Sequence, residues 1–304
     1  MNGIIVIDKP RDFTSFDVVA VMRRLCKERK IGHTGTLDPM ATGVLPLLLG
    51  KATRAASLLE DADKVYQADF RLGVDTDTQD STGVVLTQSD VPVSREQLLS
   101  ALPAFRGEIL QIPPMYSAVQ KDGKRLYELA RKGIEVEREP RPVTIYQLEL
   151  LDYSEEQRQG TLLVSCSKGT YIRTLCADLG QALGSFGMMT ALRRTRACGF
   201  SLEEAITLEQ ARGLAEAAQL PSRVLPVDGL FQGCPQITVS GAQSVRFGNG
   251  GALALERVKI SSDSLGSGQR IRVYSPEQEF LGLGEVDLEK QELAVKKLFS
   301  AQPG

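Results

Sequence analysis

GHTGTLDPMATGVLPLLLGKATR, residues 32–54, joins a punctuated loop to an apolar run. From Gly32 to Gly43 the chain holds four glycine or proline residues and four hydroxyl or acid residues, so this part is loop. Residues 44–49 follow as a buried strand interrupted by Pro46. The Gly50-Lys51 pair suggests a phosphate-binding loop, which would need Gly at 45 and Ser or Thr at 52. Leu45 and Ala52 stand there instead, and no GxGxxG occurs. What remains is a tight loop bearing His33, Thr34, Thr36 and Asp38. Asp38 precedes Pro39, which restricts it to extended geometry and can fix its carboxylate toward a cleft. On spacing alone, an Asp-Pro pair favours a turn or helix cap over a nucleophile. A lone histidine such as His33 is likewise more often structural than catalytic.

Outward from this loop, strands and helices mix without a regular βαβ rhythm, which predicts an α+β fold. Residues 3–8 read as a short buried strand, and Thr14 with Asp17 forms a capping box before a helix carrying Val18, Val19, Val21, Met22 and Leu25. Residues 64–72 alternate, with Tyr66, Ala68, Phe70 and Leu72 on one face, as a half-buried strand does. Ser94 to Gln97 opens a second helix through Leu102. Lys121-Asp122-Gly123-Lys124 marks a turn before a short helix ending at Gly133. Strands at 143–151 and 161–167 flank a hairpin tip at 153–160, then come a helix at 171–183 and a strand at 188–198. Thr207 to Gln210 caps a further helix. From Pro235 onward, β-like runs (236–239, 271–274, 279–285, 292–298) alternate with turns such as Ser261–Gly268, so 233–304 reads as a small β-rich appended domain.

The 304 residues suit about two domains. A hydrophobic fraction of 42% supplies a sizeable core, so disorder is not expected. Lysine and arginine total 36 against 38 acidic residues, a net charge of −2, so a polyanion must be held by local basic patches. The apolar run Ile4–Ile7 is too short for a secretory signal, and no later run could span a bilayer. Cys26, Cys166, Cys176, Cys198 and Cys234 are odd in number and lack CxxC spacing, which points to reduced cytoplasmic thiols. With a single histidine, histidine-rich metal sites are disfavoured, and a carboxylate, tyrosine, lysine or arginine is left to do any chemistry.

The loop resembles the signature GHTGxLDPxATGxLPxxxGxATK/R of the TruB family of pseudouridine synthases, which modify uridine 55 in the T-loop of bacterial tRNA. Gly32, His33, Gly35, Asp38, Pro39, Gly43, Gly50 and Arg54 match its fixed positions. Further matches follow in the family's order: Asp8-Lys9-Pro10, DKVYQADFRLGVDTDTQDSTG (63–83), IPPMYSAVQKDGKRLYELARKGIEVERE (112–139), CSKGTYIRTLCADLG (166–180) and ALRRT (191–195). Together they cover most of residues 2–300.

The resemblance implies a mixed-sheet catalytic domain over 1–232, with an RNA-clamping insertion at about 112–139, and a PUA-like RNA-binding domain over 233–304. Asp38 matches the nucleophile, and Tyr66 the tyrosine that stacks on the target base and is a candidate for handling the C5 proton. Arg173 matches the arginine paired with the aspartate. Tyr171 and Leu192 match residues lining the uracil pocket, His33 one that assists nucleotide flipping, and Lys9 a more structural lysine. An ionised carboxylate can act as the nucleophile, and a nearby guanidinium favours that state. A base within a folded loop must be flipped out, a cost that aromatic stacking offsets. No redox step or group addition occurs, so no cofactor and no metal is expected.

Lys121, Lys124, Arg125 and Lys132 are candidate RNA-backbone contacts, and Arg193, Arg194 and Arg196 form a further basic cluster. The expected partner is the tRNA T-arm, bound by a cytoplasmic monomer with no membrane and no obligate protein partner. Rival readings are a non-catalytic tRNA-binding folding factor, a guide-RNA-dependent relative working within a multi-protein particle, and a nucleotide-binding ATPase.

Overall fold

The computed structural model describes residues 1–59, 63–258 and 266–299. Its strands are β1 (Gly3–Lys9), β2 (Ile31–His33), β3 (Thr42–Leu49), β4 (Lys64–Leu72), β5 (Val74–Thr76), β6 (Val85–Gln88), β7 (Gly107–Gln111), β8 (Gln120–Lys121) and β9 (Lys124–Arg125). They continue as β10 (Arg141–Ser154), β11 (Gln159–Cys166), β12 (Gly187–Ala197), β13 (Phe200–Ser201), β14 (Gln236–Thr238), β15 (Leu253–Ala254), β16 (Arg270–Tyr274), β17 (Phe280–Asp287) and β18 (Glu292–Leu298). The helices are α1 (Ser15–Leu25), α2 (Arg95–Ala101), α3 (Leu126–Ala130), α4 (Ile172–Ala182), α5 (Leu208–Glu216) and α6 (Gly241–Gly248).

A nine-stranded sheet runs β1-β3-β12-β4-β11-β10-β7, with β2 beside β3 and β13 beside β12. The β3–β12 pair is parallel and its other pairs are antiparallel, so the sheet is mixed as expected. Tyr66, Ala68, Phe70 and Leu72 of β4 point to the face covered by α4, where Ile172, Leu175, Cys176 and Leu179 complete one core. On a second face, α1 and α5 bury Val18, Val19, Met22 and Ala211 against Ile5, Ile7, Leu45 and Leu47. The hairpin of β10 and β11 is longer than its apolar pattern, with its tip confined to 155–158.

Pro46 does not interrupt β3, which stays in register with β1 across the Val6–Pro46 pair. Its carbonyl accepts from the Thr34 N–H at 3.2 Å, just beyond the end of β2. The ring nitrogen faces that same edge, so the missing donor costs β3 no ladder bond to β1. The Gly32–Gly43 loop is correspondingly shorter than its composition suggests, because Gly32 and His33 close β2 and Thr42 opens β3.

Thr14, Ser94 and Thr207 cap α1, α2 and α5 through capping boxes with Asp17, Gln97 and Gln210. A fourth box, Ser240 with Gln243, opens α6 inside the region expected to hold only strands and turns. The C-terminal sheet runs β14-β16-β17-β18-β15 around Ile237, Phe247, Ile271, Val273 and Leu293. Residues 261–265 of the expected Ser261–Gly268 turn lie outside the described residues. Leu283 and Phe299 pack with Ile4, Val6, Val44 and Leu48, so the two sheets share a core. All five cysteines are unpaired. Among the described residues, no helix is long and apolar enough to cross a membrane.

Candidate active site

The loop between β2 and β3 presents Asp38 half-exposed, while its neighbours Leu37, Met40 and Ala41 are buried with Tyr66, Leu192 and Ile172. Ser15, the first residue of α1, braces the loop: its Oγ accepts from the Leu37 N–H at 2.8 Å and donates to the Leu37 carbonyl at 3.3 Å. Arg173, the second residue of α4, places Nε 3.1 Å from Asp38 Oδ2. Asp38, Tyr66, Arg173 and Leu192, distant in sequence, thus gather at one end of α4.

The remaining expected residues surround them. Tyr171 is the N-cap of α4 and half-buried. Lys9 is buried at the end of β1, and its ammonium donates to the carbonyls of Pro10, Phe13 and Pro39, tying the Asp38 loop to the turn after β1. Burial pulls its pKa down to about 8, with Asp38 opposing the shift. His33 ends β2 with Nδ1 buried and unpartnered. Burial, aided by the charge of Arg194, pulls its pKa down from the ordinary histidine value. Tyr66 is 6% exposed. Burial raises the pKa of its phenol, and the adjacent Arg194 guanidinium works in the opposite direction.

Several contributors escaped the sequence. Buried Asp80 sets Oδ2 3.6 Å from Arg173 Nη1, and its Oδ1 accepts from Thr78 Oγ1 at 2.8 Å and from the Thr82 N–H at 2.9 Å. Arg173 also donates to the carbonyls of Thr78 at 3.1 Å and Tyr116 at 3.0 Å. Gln111 clamps Tyr171 from both sides: its Oε1 accepts from the Tyr171 N–H at 3.0 Å, and its Nε2 donates to the Tyr171 carbonyl at 3.3 Å. The TDTQD stretch, three acid or hydroxyl residues in a row after β4, carried a signal for Asp80, but its direction was not legible.

The basic cluster at 193–196 is divided. Arg194 is fully buried, Arg193 Nη2 pairs with Asp8 Oδ2 at 2.9 Å, and only Arg196 is openly exposed. It is therefore not a joint phosphate grip. Lys121, Lys124, Arg125 and Lys132 are all exposed on the segment formed by β8, β9 and α3. Asp122 and Gly123 turn that hairpin with φ of 51° and 77°. Arg125 donates to the Tyr127 hydroxyl at 2.9 Å, and Arg125 and Arg131 both lie over the Tyr127 ring. The segment meets the site through Tyr116, whose carbonyl Arg173 grips.

A half-exposed carboxylate, a buried guanidinium holding it and a phenol in apolar surroundings can carry out nucleophilic and proton-transfer chemistry. Comparison with known proteins points the same way. The model of the TruB family pseudouridylate synthase N-terminal domain matches residues 23–172, and that of the tRNA pseudouridylate synthase B C-terminal domain matches 173–232. The chain is 46% identical to tRNA pseudouridine synthase B of Aromatoleum aromaticum over 287 residues, 94% of this chain and 89% of the relative. The protein of the same name from Dechloromonas aromatica is also 46% identical, over 94% of this chain and 91% of the relative. Among solved structures, a crystal structure of a Cbf5–Nop10–Gar1 complex matches 99% of this chain and 85% of that chain, with TM-score 0.77 and 28% identity.

Proposed function

This chain belongs to the TruB family of pseudouridylate synthases, and from that premise we propose that it isomerises uridine to pseudouridine at position 55 in the T-loop of tRNA. The observation that carries the residue assignment is the Asp38–Arg173 pair, 3.1 Å apart at the rim of an apolar cluster that also holds Tyr66 and Leu192. Asp38 is the nucleophile, and Arg173 orients it through its fixed guanidinium fork. The target nucleotide flips out of the loop and lies against Tyr66, between Tyr171 and Leu192. His33, at the mouth of the loop, supports the flipped nucleotide, and Lys9 holds the loop from below.

The chemistry balances within the substrate. The C1′–N1 bond breaks, the C1′–C5 bond forms, C5 loses a proton and N1 gains one. Tyr66 handles the C5 proton, and no cofactor or metal takes part. Lys121, Lys124, Arg125 and Lys132 hold the RNA backbone, and residues 233–304 serve as a PUA-like RNA-binding domain. The chain acts as a monomer without an obligate protein partner, which the self-contained segment at 112–139 supports.

The test is the purified chain on unmodified tRNA transcript in chelator, with the modified position mapped, beside Asp38→Asn. The parent should form pseudouridine at a single T-loop position, while the variant binds tRNA within a few fold but does not turn over. Parallel loss of binding and turnover would make Asp38 an RNA-positioning residue. A parent that binds tRNA and forms no pseudouridine would favour a folding factor.

A further inference from the structure

Two strands share one edge of β3: β12 pairs at Thr42 and Gly43, and β2 pairs from Leu47 to Leu49. The nucleophile loop leaves the sheet in the gap between them, and the side chain of Arg194 fills that gap. Its Nε donates to the Val44 carbonyl at 2.7 Å and its Nη2 to the Gly35 carbonyl at 3.1 Å. A signature glycine lets β12 come this close: Gly43 has φ +105°, and a side chain there would run into the backbone of Arg194. Arg194 is the largest of the fully buried side chains, yet Nη1 has no hydrogen-bond partner and no carboxylate pairs with the guanidinium among the described residues. Directly across the β4–β12 ladder stands Tyr66. A buried charge held only by neutral acceptors is a poor choice for stability, and an apolar side chain of similar length would fill the gap at less cost.

We propose that Arg194 is a positioning residue for the isomerisation: it holds Gly35, and with it the Asp38 loop, against β3, and it presents a fixed positive charge to the Tyr66 oxygen. The proposal rests on the reading in which Tyr66 handles the C5 proton. The phenol first loses its proton to water, beside the guanidinium. The phenolate then takes the C5 proton, and the electron pair of the C5–H bond stays with the uracil ring. A charge fixed before the reaction needs no reorganisation when the oxygen becomes anionic.

The experiment measures single-turnover rate and tRNA affinity for Arg194→Met, Arg194→Lys and Arg194→Gln, in the parent and in Tyr66→Phe. Arg194→Met should slow turnover about 100-fold, as loss of one preorganised donor does, with affinity within about threefold. Arg194→Lys keeps the charge and should be markedly faster than Arg194→Gln. In Tyr66→Phe, Arg194→Gln should cost clearly less than it does in the parent, because the oxygen the charge serves is gone and only the hold on Gly35 is left to lose. An Arg194→Met rate near the parent's, or an Arg194→Gln loss as large in Tyr66→Phe as in the parent, would overturn the proposal. If Arg194→Met does not fold, equal rates for the Lys and Gln variants would overturn it. A Tyr66→Phe chain at the parental rate would instead sink the reading of Tyr66 and the phenol half of the proposal, and the Arg194→Met rate would then decide the Gly35 half.

Discussion

Arg173 spreads its donors over two carboxylates and two carbonyls, and this division decides how Asp38 is held. Nε is 3.1 Å from Asp38, while Nη1 and Nη2 are occupied by Asp80 and by the carbonyls of Thr78 and Tyr116. Without Asp80, Asp38 is the only carboxylate left to the guanidinium among the described residues, and a bidentate pair would occupy the lone pairs that the proposed attack needs. Asp80→Asn should therefore lower single-turnover rate about 10- to 100-fold with unchanged tRNA affinity. Asp80→Ala should add a stability loss of about 1–3 kcal/mol in denaturant unfolding, because the donors of Thr78 and Thr82 lose their buried acceptor. Equal rates for parent and Asp80→Asn would show that Asp80 merely ties its own turn. Lys9 offers a second residue-level test through pH. Burial lowers its folded pKa to about 8 from the ordinary 10.5. Between those values the unfolded chain keeps the proton that the folded chain has released, so this group makes stability rise with pH across that window. Relative to Lys9→Met, which lacks the titrating amine, the parent should gain stability from pH 8 to 10.5 in equilibrium unfolding. A constant difference across that range would contradict the assignment.

At the scale of elements, the segment of β8, β9 and α3 projects a charge pattern that the net charge of −2 conceals. Replacing Lys121, Lys124, Arg125 and Lys132 together by glutamine should weaken tRNA binding and flatten its salt dependence, by roughly 0.7–0.9 in log–log slope per lost phosphate contact. The rate on bound substrate should hold, because these groups are exposed and are not among the partners that hold Asp38 and Arg173. An unchanged slope in a salt titration would make the segment a solvated face. Elements were legible wherever one local rule governs them. The alternation of β4 and the boxes at Thr14, Ser94 and Thr207 read directly, and Ser240 obeys the same rule although its glycine- and serine-rich surroundings hid α6. What stayed hidden depends on partners far along the chain. Pro46 looked like a break because only the end of β2 shows that its nitrogen needs no acceptor. Arg194 looked like a surface cation within ALRRTRA. Leu192, two residues earlier, places it inward, but a register shift between Arg194 and Arg196 turns Arg196 out again, and no local pattern signals that shift. For the site, the resemblance carried Asp38, Tyr66 and Arg173 to positions that do converge, whereas Asp80 and Gln111 became visible only through their contacts.

For the whole molecule, length suggests about two domains, and the packing joins the two sheets. Phe299, at the end of the C-terminal sheet, has its ring 5.9 Å from Phe231 and 5.6 Å from Phe280, and it is 3% exposed. The same cluster includes Ile4 and Val6 of β1 with Val44 and Leu48 of β3, the strand that anchors the Asp38 loop. Removing 233–304 would uncover this apolar surface, so the shortened chain should aggregate rather than remain as a soluble, weakly binding enzyme. Phe299→Ala isolates the point without a deletion. Truncating a buried phenylalanine costs about 3–5 kcal/mol, a large share of the roughly 5–15 kcal/mol that holds a typical domain together. With a shared core, calorimetry should show one transition in the parent, and Phe299→Ala should move the whole of it downward. Hydrogen exchange should agree, with amides of β4 and β17 losing protection together. If only β17 loses protection, or if a second transition stays in place, the sheets unfold independently and the cluster around Phe299 is a contact between finished domains. Linked unfolding would tie the Asp38 loop to the distant C-terminal sheet through β3, so that Phe299→Ala should lose turnover and tRNA binding together as temperature rises through its lowered transition.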